Sequence, residues 1–231
     1  MDAATLALFP VWYAVFLLSL TCHEAAHAFA AHRGGDDTAY HSGQVSLNPW
    51  PHIRREPIGT ILVPLLTYWY AHWMMGWASA PYDPSWEERH PRRAALMSAA
   101  GPAANLALFG FAFAALRLGL DRGLFQVPDA LTIDRLVVAS AGTPAFVDSL
   151  GRFLSILFDL NLILAVFNLL PVPPLDGISV IAGLFSPVRA LYVKLREIPG
   201  VSFVGLIIAW RVSPFVVTPV LHAAIIALLP G

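Results

Sequence analysis

The sequence predicts an all-helical protein that crosses a membrane several times. Hydrophobic residues make up 57% of the 231-residue chain and charged residues only 13%. With a mean hydropathy of +0.65, this composition is far from that of soluble globular domains. Several apolar stretches reach the roughly 20 residues that a helix needs to cross a bilayer. We therefore expect one domain over residues 1–231, a bundle of about four to six transmembrane helices with a small membrane-embedded β element.

The apolar stretches give the order of the predicted helices. They cover residues 6–31, 58–77, 94–118, 153–170, 178–193 and 201–229. Prolines interrupt several of them, and the last stretch contains Pro214 and Pro219 together with Arg211 and His222. Because proline breaks or kinks a helix, the last stretch is either one kinked span or two half-spans.

The predicted β element lies between the first two apolar stretches. Residues 43–49 alternate apolar and polar side chains, which is the period of a strand. Non-helical backbone at membrane depth must be buried in protein or line a watery cavity, so a strand here indicates such a cavity. Residues 77–81 form either a second extended piece or an interfacial loop. We expect an exposed loop at residues 119–152, with room for a short helix.

The first apolar stretch ends in the pentad HEAAH, which contains His23, Glu24 and His27. Residues four apart lie on one face of a helix, so the two imidazoles can bind one zinc ion while Glu24 flanks it. Zinc peptidases use this geometry. Since the pentad follows an unbroken apolar run, its chemistry is expected inside the bilayer.

Catalytic zinc has three protein ligands and a water, so one ligand remains to be found. The other glutamates lie in polar connections, and the pattern with a third histidine has Ala30 and Arg33 at its last two positions. Asp176 is the better candidate because it follows a proline-rich run and precedes Gly177. The Asp-Gly pair permits a tight turn that could aim the carboxylate into the bundle. An aspartate in an ordinary surface turn is the alternative.

Two motifs together resemble the site-2 protease family of intramembrane zinc metalloproteases, peptidase family M50. They are HEAAH and the segment FNLLPVPPLDG at residues 167–177. The sequence GPAAN at residues 101–105 looks like the family's G-P-x-x-N helix, and residues 43–49 and 76–81 look like its extended membrane-embedded pieces. The chain looks most like the short bacterial and archaeal members that lack a PDZ domain.

The resemblance implies a role for each matching residue. His23, His27 and Asp176 are expected to hold one Zn²⁺ per chain, and Glu24 is expected to be the catalytic acid and base. Asn168 is expected to contact the substrate backbone or the tetrahedral oxyanion. The chain departs from the family pattern where Ser79-Ala80 replaces a Lys-Pro pair and where Ile178-Ser179 follows Gly177, which leaves substrate selection open.

The predicted function is that of a zinc endopeptidase which hydrolyses peptide bonds in or near transmembrane segments of membrane proteins. A free strand edge at residues 45–47 would receive the unwound substrate by β-addition. We expect a multi-pass protein of a prokaryotic cell membrane, in contact with the lipid bilayer and a membrane-protein substrate. A regulatory membrane partner or a homo-oligomer is also allowed. Nucleic acid is not an expected partner, because the net charge is −1 and no basic run occurs.

Two other functional classes are compatible with a histidine-bearing membrane helix. A zinc transporter would pair the histidine helix with a second metal-binding helix, and no other apolar stretch offers histidines at ligand spacing. A catalytically inactive membrane scaffold is disfavoured by the intact Glu24. Two asparagines remain: Asn105 is favoured as a hydrogen bonder between packed helices rather than a catalytic group. Asn161, two helical turns before Asn168, either lines the same cavity or packs.

Overall fold

The computed structural model describes residues 3–229, with the side chains of Ala3 and Ala4 left aside. Its elements follow one another along the chain with short connections. In order they are α1 (Ala3–Arg33), α2 (Thr38–His41), α3 (Pro49–Arg55), a π-helix (Ile58–Leu62), α4 (Val63–Ala71), α5 (Pro84–Arg89), α6 (Pro91–Asp121), β1 (Phe125–Gln126), β2 (Val138–Ala139), α7 (Phe146–Asn168), α8 (Asp176–Leu184), α9 (Ser186–Arg196) and α10 (Val201–Leu228).

Four of these helices, α1, α6, α7 and α10, are long and apolar enough to cross a membrane. The shortest, α7, has 23 residues and is about 35 Å long, which exceeds the roughly 30 Å of the hydrocarbon core. The predicted all-helical, multi-span fold is confirmed, at the lower end of the expected number of spans.

Two apolar stretches do not form spans. The stretch at 58–77 begins as the π-helix, continues as α4 and ends at His72, whose φ of 58° is left-handed. The helical part, Ile58–Ala71, is about 21 Å long and too short to cross. The stretch at 178–193 is divided between α8 and α9 by the extended backbone of Phe185.

The last apolar stretch is a single helix. α10 continues through Pro214 and Pro219 as one unbroken helix, so the alternative of two half-spans is wrong. Large apolar side chains on α10 point away from the protein: Phe203 is 69% exposed and Phe215 is 81% exposed. In a membrane this surface faces lipid, because hydrocarbon tails solvate it as well as a protein core does.

The predicted strand at residues 43–49 is wrong. This segment forms turns, and its polar side chains bond locally: Asn48 accepts from the Trp50 N–H at 3.0 Å and begins α3, and Ser46 Oγ accepts from the Asn48 N–H at 3.0 Å. Such local hydrogen bonds compete with strand formation and override the alternating pattern. The β-addition of a substrate at residues 45–47 therefore has no strand to support it.

The β element lies elsewhere, in the connection between α6 and α7 that was expected to be a loop. β1 and β2 form a two-stranded antiparallel sheet in which Phe125 pairs with Ala139. Phe125 is 5% exposed and packs into the core. This buried aromatic fixes the hairpin to the helices.

The core lies between α1, α6 and α7. Its largest fully buried side chains include Trp12 and Phe16 from α1, Leu116 from α6, and Leu157 and Phe158 from α7. α8 packs against α6. This arrangement brings the C-terminal half of α1, the N-terminal half of α6 and the start of α8 together, and the candidate site forms where they meet.

Candidate active site

Three side chains that the sequence predicts as zinc ligands converge in the structure. The Nε2 atoms of His23 and His27 lie 3.0 Å apart. Asp176 Oδ2 is 3.2 Å from His23 Nε2, and Asp176 Oδ1 is 3.3 Å from His27 Nε2. Among the described residues, these three are the group that could hold a metal ion.

Asp176 reaches the site differently from the prediction. Instead of closing a tight turn, it is the first residue of α8, and Leu175 before it is extended. α7 ends at Asn168, so the proline-rich segment between α7 and α8 carries the chain back to α6. A carboxylate in the first turn of a helix is stabilised by the helix dipole, which favours this start.

The three ligand groups fit zinc. A tetrahedral ion with bonds of about 2.0–2.1 Å holds its ligand atoms about 3.3–3.4 Å apart. The two Nε2 atoms are 3.0 Å apart, and each lies 3.2 or 3.3 Å from one of the two carboxylate oxygens of Asp176. Asp176 Oδ2 is buried, and no hydrogen bond is directed at it despite the nearby His23 ring. Two imidazole nitrogens and a carboxylate oxygen are a common donor set of catalytic zinc.

Both imidazoles are held from α6 through their other nitrogen. His27 Nδ1 lies 2.7 Å from the backbone carbonyl of Met97 and must donate to it, because a carbonyl only accepts. His23 Nδ1 lies 2.5 Å from the side-chain oxygen of Asn105. In each ring this leaves Nε2 for the metal.

Gly101 makes room for these rings. It lies on α6, and a Cβ atom there would overlap the Nε2 atoms of both His23 and His27. The backbone of α6 can therefore approach the ligand group only because residue 101 has no side chain.

Glu24 lies beside the ligands with a free carboxylate. It is 5% exposed and lines the same cavity as His23 and His27. Its side chain makes no hydrogen bond or ion pair within residues 3–229. A carboxylate in this state can accept a proton from a water bound nearby.

Asn168, at the end of α7, lines the cavity wall. Its Nδ2 donates to the Leu164 carbonyl at 3.0 Å, which occupies one of its two amide hydrogens. The second hydrogen remains for a ligand in the cavity.

The cavity has a volume of about 720 Å³ and mostly apolar walls. Its walls include parts of α1, α6, α7, α8, α10 and the segment between α4 and α5. Its apolar lining includes Phe16, Trp73, Trp77, Leu206 and Trp210. Residues 77–81, predicted as an extended piece or a loop, have no regular secondary structure, and residues 77–80 of this segment line the cavity. Ser79 anchors this segment by donating to Glu56 Oε1 at 2.7 Å.

The support that α6 gives to the ligands is not evident from the sequence. Asn105 forms hydrogen bonds between packed helices as predicted, and the unexpected finding is that one of its partners is His23. Asn161 does not line the cavity; it is fully buried and bonds to Asn105. One signal was available, since Gly101 and Asn105 are four residues apart and therefore share one face of α6.

Comparison with known proteins agrees with this geometry. A sequence model of peptidase family M50 matches residues 11–212. YwhC of Bacillus subtilis, whose name provisionally assigns it to the zinc metalloproteases, is 34% identical over 220 residues, which is 94% of this chain and 89% of that protein.

The chain is also similar to Rip2 proteins, whose names carry the same assignment, but the similarity covers less of their length. The Rip2 of Mycolicibacterium smegmatis is 29% identical over 185 residues, 74% of this chain and 56% of that protein. The Rip2 of Mycobacterium tuberculosis H37Rv is 33% identical over 163 residues, 70% of this chain and 52% of that protein. The chain thus spans about half of the Rip2 proteins, and no solved structure matches it significantly.

The family match includes both HEAAH and Asp176, so this chain belongs to peptidase family M50 and is a zinc metalloprotease.

Proposed function

We propose that this enzyme is an intramembrane endopeptidase that hydrolyses peptide bonds in or near transmembrane segments of other membrane proteins. The observation that carries the proposal is the depth of the ligands in α1. His23 lies ten residues before the end of the apolar span at Arg33, about 15 Å along the helix axis. His27 lies six residues before that end, about 9 Å along the axis. With a hydrocarbon core of roughly 30 Å, both ligands are expected inside the core rather than at its edge.

The proposed roles follow from the contacts of each side chain. His23, His27 and Asp176 hold the zinc ion, which when bound supplies the Lewis acidity that activates water and polarises the scissile carbonyl. Glu24, with its free carboxylate, takes a proton from the attacking water and returns it to the leaving amine. Asn168 donates its remaining amide hydrogen to the carbonyl oxygen as negative charge develops there.

The apolar lining of the cavity is an argument for a transmembrane substrate. Aromatic and aliphatic side chains of the wall, such as Phe16, Trp77 and Trp210, offer a surface suited to the side chains of a membrane segment. Carbonyls within a helix are already hydrogen-bonded, so the substrate unwinds locally before it is cut.

Since the matched relatives are bacterial, we also propose a prokaryotic cell membrane as the location. A regulatory membrane partner or a homo-oligomer stays a prediction.

The two rival classes are disfavoured by specific observations. A zinc transporter needs a second metal-binding group, and the part of the chain that the structure describes offers His23, His27 and Asp176 alone. An inactive scaffold does not account for Glu24, whose unbonded carboxylate lies in the same cavity as the ligands.

The proposal is tested by locating the cut. The purified enzyme is reconstituted in liposomes with a single-span membrane protein, and the products are identified by mass spectrometry. We expect termini that fall within the transmembrane segment or next to it. Cuts confined to water-exposed domains of the substrate, far from the membrane, would contradict the proposal.

A further inference from the structure

A chain of buried hydrogen bonds leads away from the candidate zinc site. Asn105 Nδ2 lies 2.9 Å from Asn161 Oδ1, and Asn161 Nδ2 lies 2.9 Å from Ser19 Oγ. Together with the contact between His23 and Asn105, this chain connects α1, α6 and α7. Ser19, Asn105 and Asn161 are each 0% exposed. Burying three such groups among apolar helices is costly unless each is paired, so their arrangement requires a reason.

The direction of every hydrogen bond in this chain is fixed by backbone carbonyls, which only accept. Ser19 Oγ donates to the Val15 carbonyl at 2.7 Å, so it accepts from Asn161. The second amide hydrogen of Asn161 donates to the Leu157 carbonyl at 2.8 Å. With both hydrogens used, Asn161 must present its oxygen to Asn105.

This direction determines which end of the Asn105 amide faces the zinc ligand. Asn105 donates its Nδ2 to Asn161 and therefore presents Oδ1 to His23. An oxygen at this position accepts a hydrogen from His23 Nδ1 and leaves the lone pair of Nε2 free. The reversed amide would donate to Nδ1, place the ring hydrogen on Nε2 and block binding of the metal.

We propose that Asn105 and Asn161 are positioning residues, which hold His23 in the tautomer and ring orientation that zinc binding requires. Asn105 acts directly on the ring. Asn161 fixes the orientation of Asn105 together with the Ser19 backbone carbonyl, to which Asn105 Nδ2 also donates at 3.5 Å. His27 obtains the same restraint from the Met97 carbonyl, which no side-chain substitution removes. Only one of the two histidine ligands thus depends on side chains. This inference rests on the proposed ligation of zinc by His23.

Packing alone makes the opposite prediction about substitutions at residue 105. If Asn105 only filled space, Asn105→Leu would be tolerated better than Asn105→Asp, because burying a charge in this apolar interior destabilises the fold more than burying a leucine does. If Asn105 positions His23, leucine removes the acceptor, whereas aspartate retains an oxygen that accepts from Nδ1, as carboxylates next to zinc-bound histidines do.

The test measures zinc binding to the full-length protein in detergent micelles by competition with a chromophoric chelator. Thermal unfolding of the zinc-free protein is followed separately. We expect Asn105→Leu to weaken zinc binding by about 10–100-fold, and Asn105→Asp to stay much closer to wild type. Asn161→Leu should give a smaller loss than Asn105→Leu, because Asn105 keeps its acceptor oxygen and its amide is then held only by the long hydrogen bond to the Ser19 carbonyl.

Ser155→Ala serves as the matched control. Ser155 is also a fully buried polar residue of α7, and it accepts from the Leu136 N–H at 3.0 Å. It lies six residues from Asn161, about 9 Å along the helix, outside the chain of bonds to His23. This variant is expected to lower the unfolding temperature while zinc affinity stays unchanged.

The possible outcomes separate this inference from the proposed function. Wild-type zinc affinity in Asn105→Leu, or an equal loss in Asn105→Asp and Asn105→Leu, overturns the positioning role. If Asn105→Leu does not fold, Asn105→Ala removes the same acceptor without added bulk, and wild-type zinc affinity in that variant overturns the positioning role instead. His23→Ala tests the ligand itself: if it binds zinc as wild type does, the proposed ligation fails, and the positioning role fails with it.

Discussion

Gly101 and the two histidines illustrate what could be predicted for single residues. The spacing of His23, Glu24 and His27 predicts their grouping because four residues make about one helical turn, a purely local relation. The contact of Gly101 with the two histidines could not be predicted, since it depends on how closely α6 approaches α1. The same holds for the Met97 carbonyl, whose position depends on tertiary packing and on no side chain.

Replacing Gly101 with alanine should weaken zinc binding by tenfold or more, on the order of a lost positioning contact. The new methyl group would overlap the Nε2 atoms of His23 and His27 and push the rings apart. Gly110→Ala is the control, because it lies on the same helix with open space around its Cβ position. Zinc affinities of the two variants, measured side by side, check this; equal affinities would show that α6 has room at residue 101.

At the scale of elements, periodicity predicted helices well and the β element badly. The long stretch at 94–118 lies within α6, and the stretch at 153–170 forms α7 up to its end at Asn168, because a long apolar run has few alternatives to a helix. The short alternating run at 43–49 was overridden by local hydrogen bonds of Ser46 and Asn48. The position of α10 also depends on a contact distant in sequence, since Gly205 lies directly against the Pro173 carbonyl.

Replacing Gly205 with leucine should impair cleavage of a membrane substrate and leave zinc binding intact. A side chain at residue 205 would overlap the Pro173 carbonyl and displace α10, which carries Leu206 and Trp210 of the cavity wall. The zinc ligands lie on other elements. Cleavage rate and zinc content are measured with Ala223→Leu, an exposed position of α10, as control. Normal cleavage in Gly205→Leu would mean that the close contact between α10 and the Pro173 carbonyl does not determine the shape of the cavity.

At the scale of the whole molecule, composition correctly predicted a multi-span helical protein. It could not give the number of spans, because apolar stretches such as 58–77 end in turns that depend on single residues, here the left-handed His72. The core between α1, α6 and α7 consists of apolar side chains packed away from the ligands.

Removal of zinc should therefore abolish cleavage while the fold persists. The apolar core and the hydrogen bonds to Nδ1 do not involve the metal, so the apoprotein is expected to keep its helical content and to regain activity when zinc is restored. Circular dichroism and cleavage assays before and after chelation check this. A large loss of helicity on chelation would assign zinc a structural role instead.

The central claim is that His23, His27 and Asp176 bind zinc for a cleavage reaction in which Glu24 transfers the proton. It is tested most directly by measuring zinc content and cleavage of a membrane substrate for wild type and Glu24→Gln under identical conditions. The variant is predicted to bind one zinc per chain and to lose cleavage by at least about 100-fold, the lower range for general acid and base catalysis. Cleavage at the wild-type rate by the zinc-loaded variant would contradict the claim.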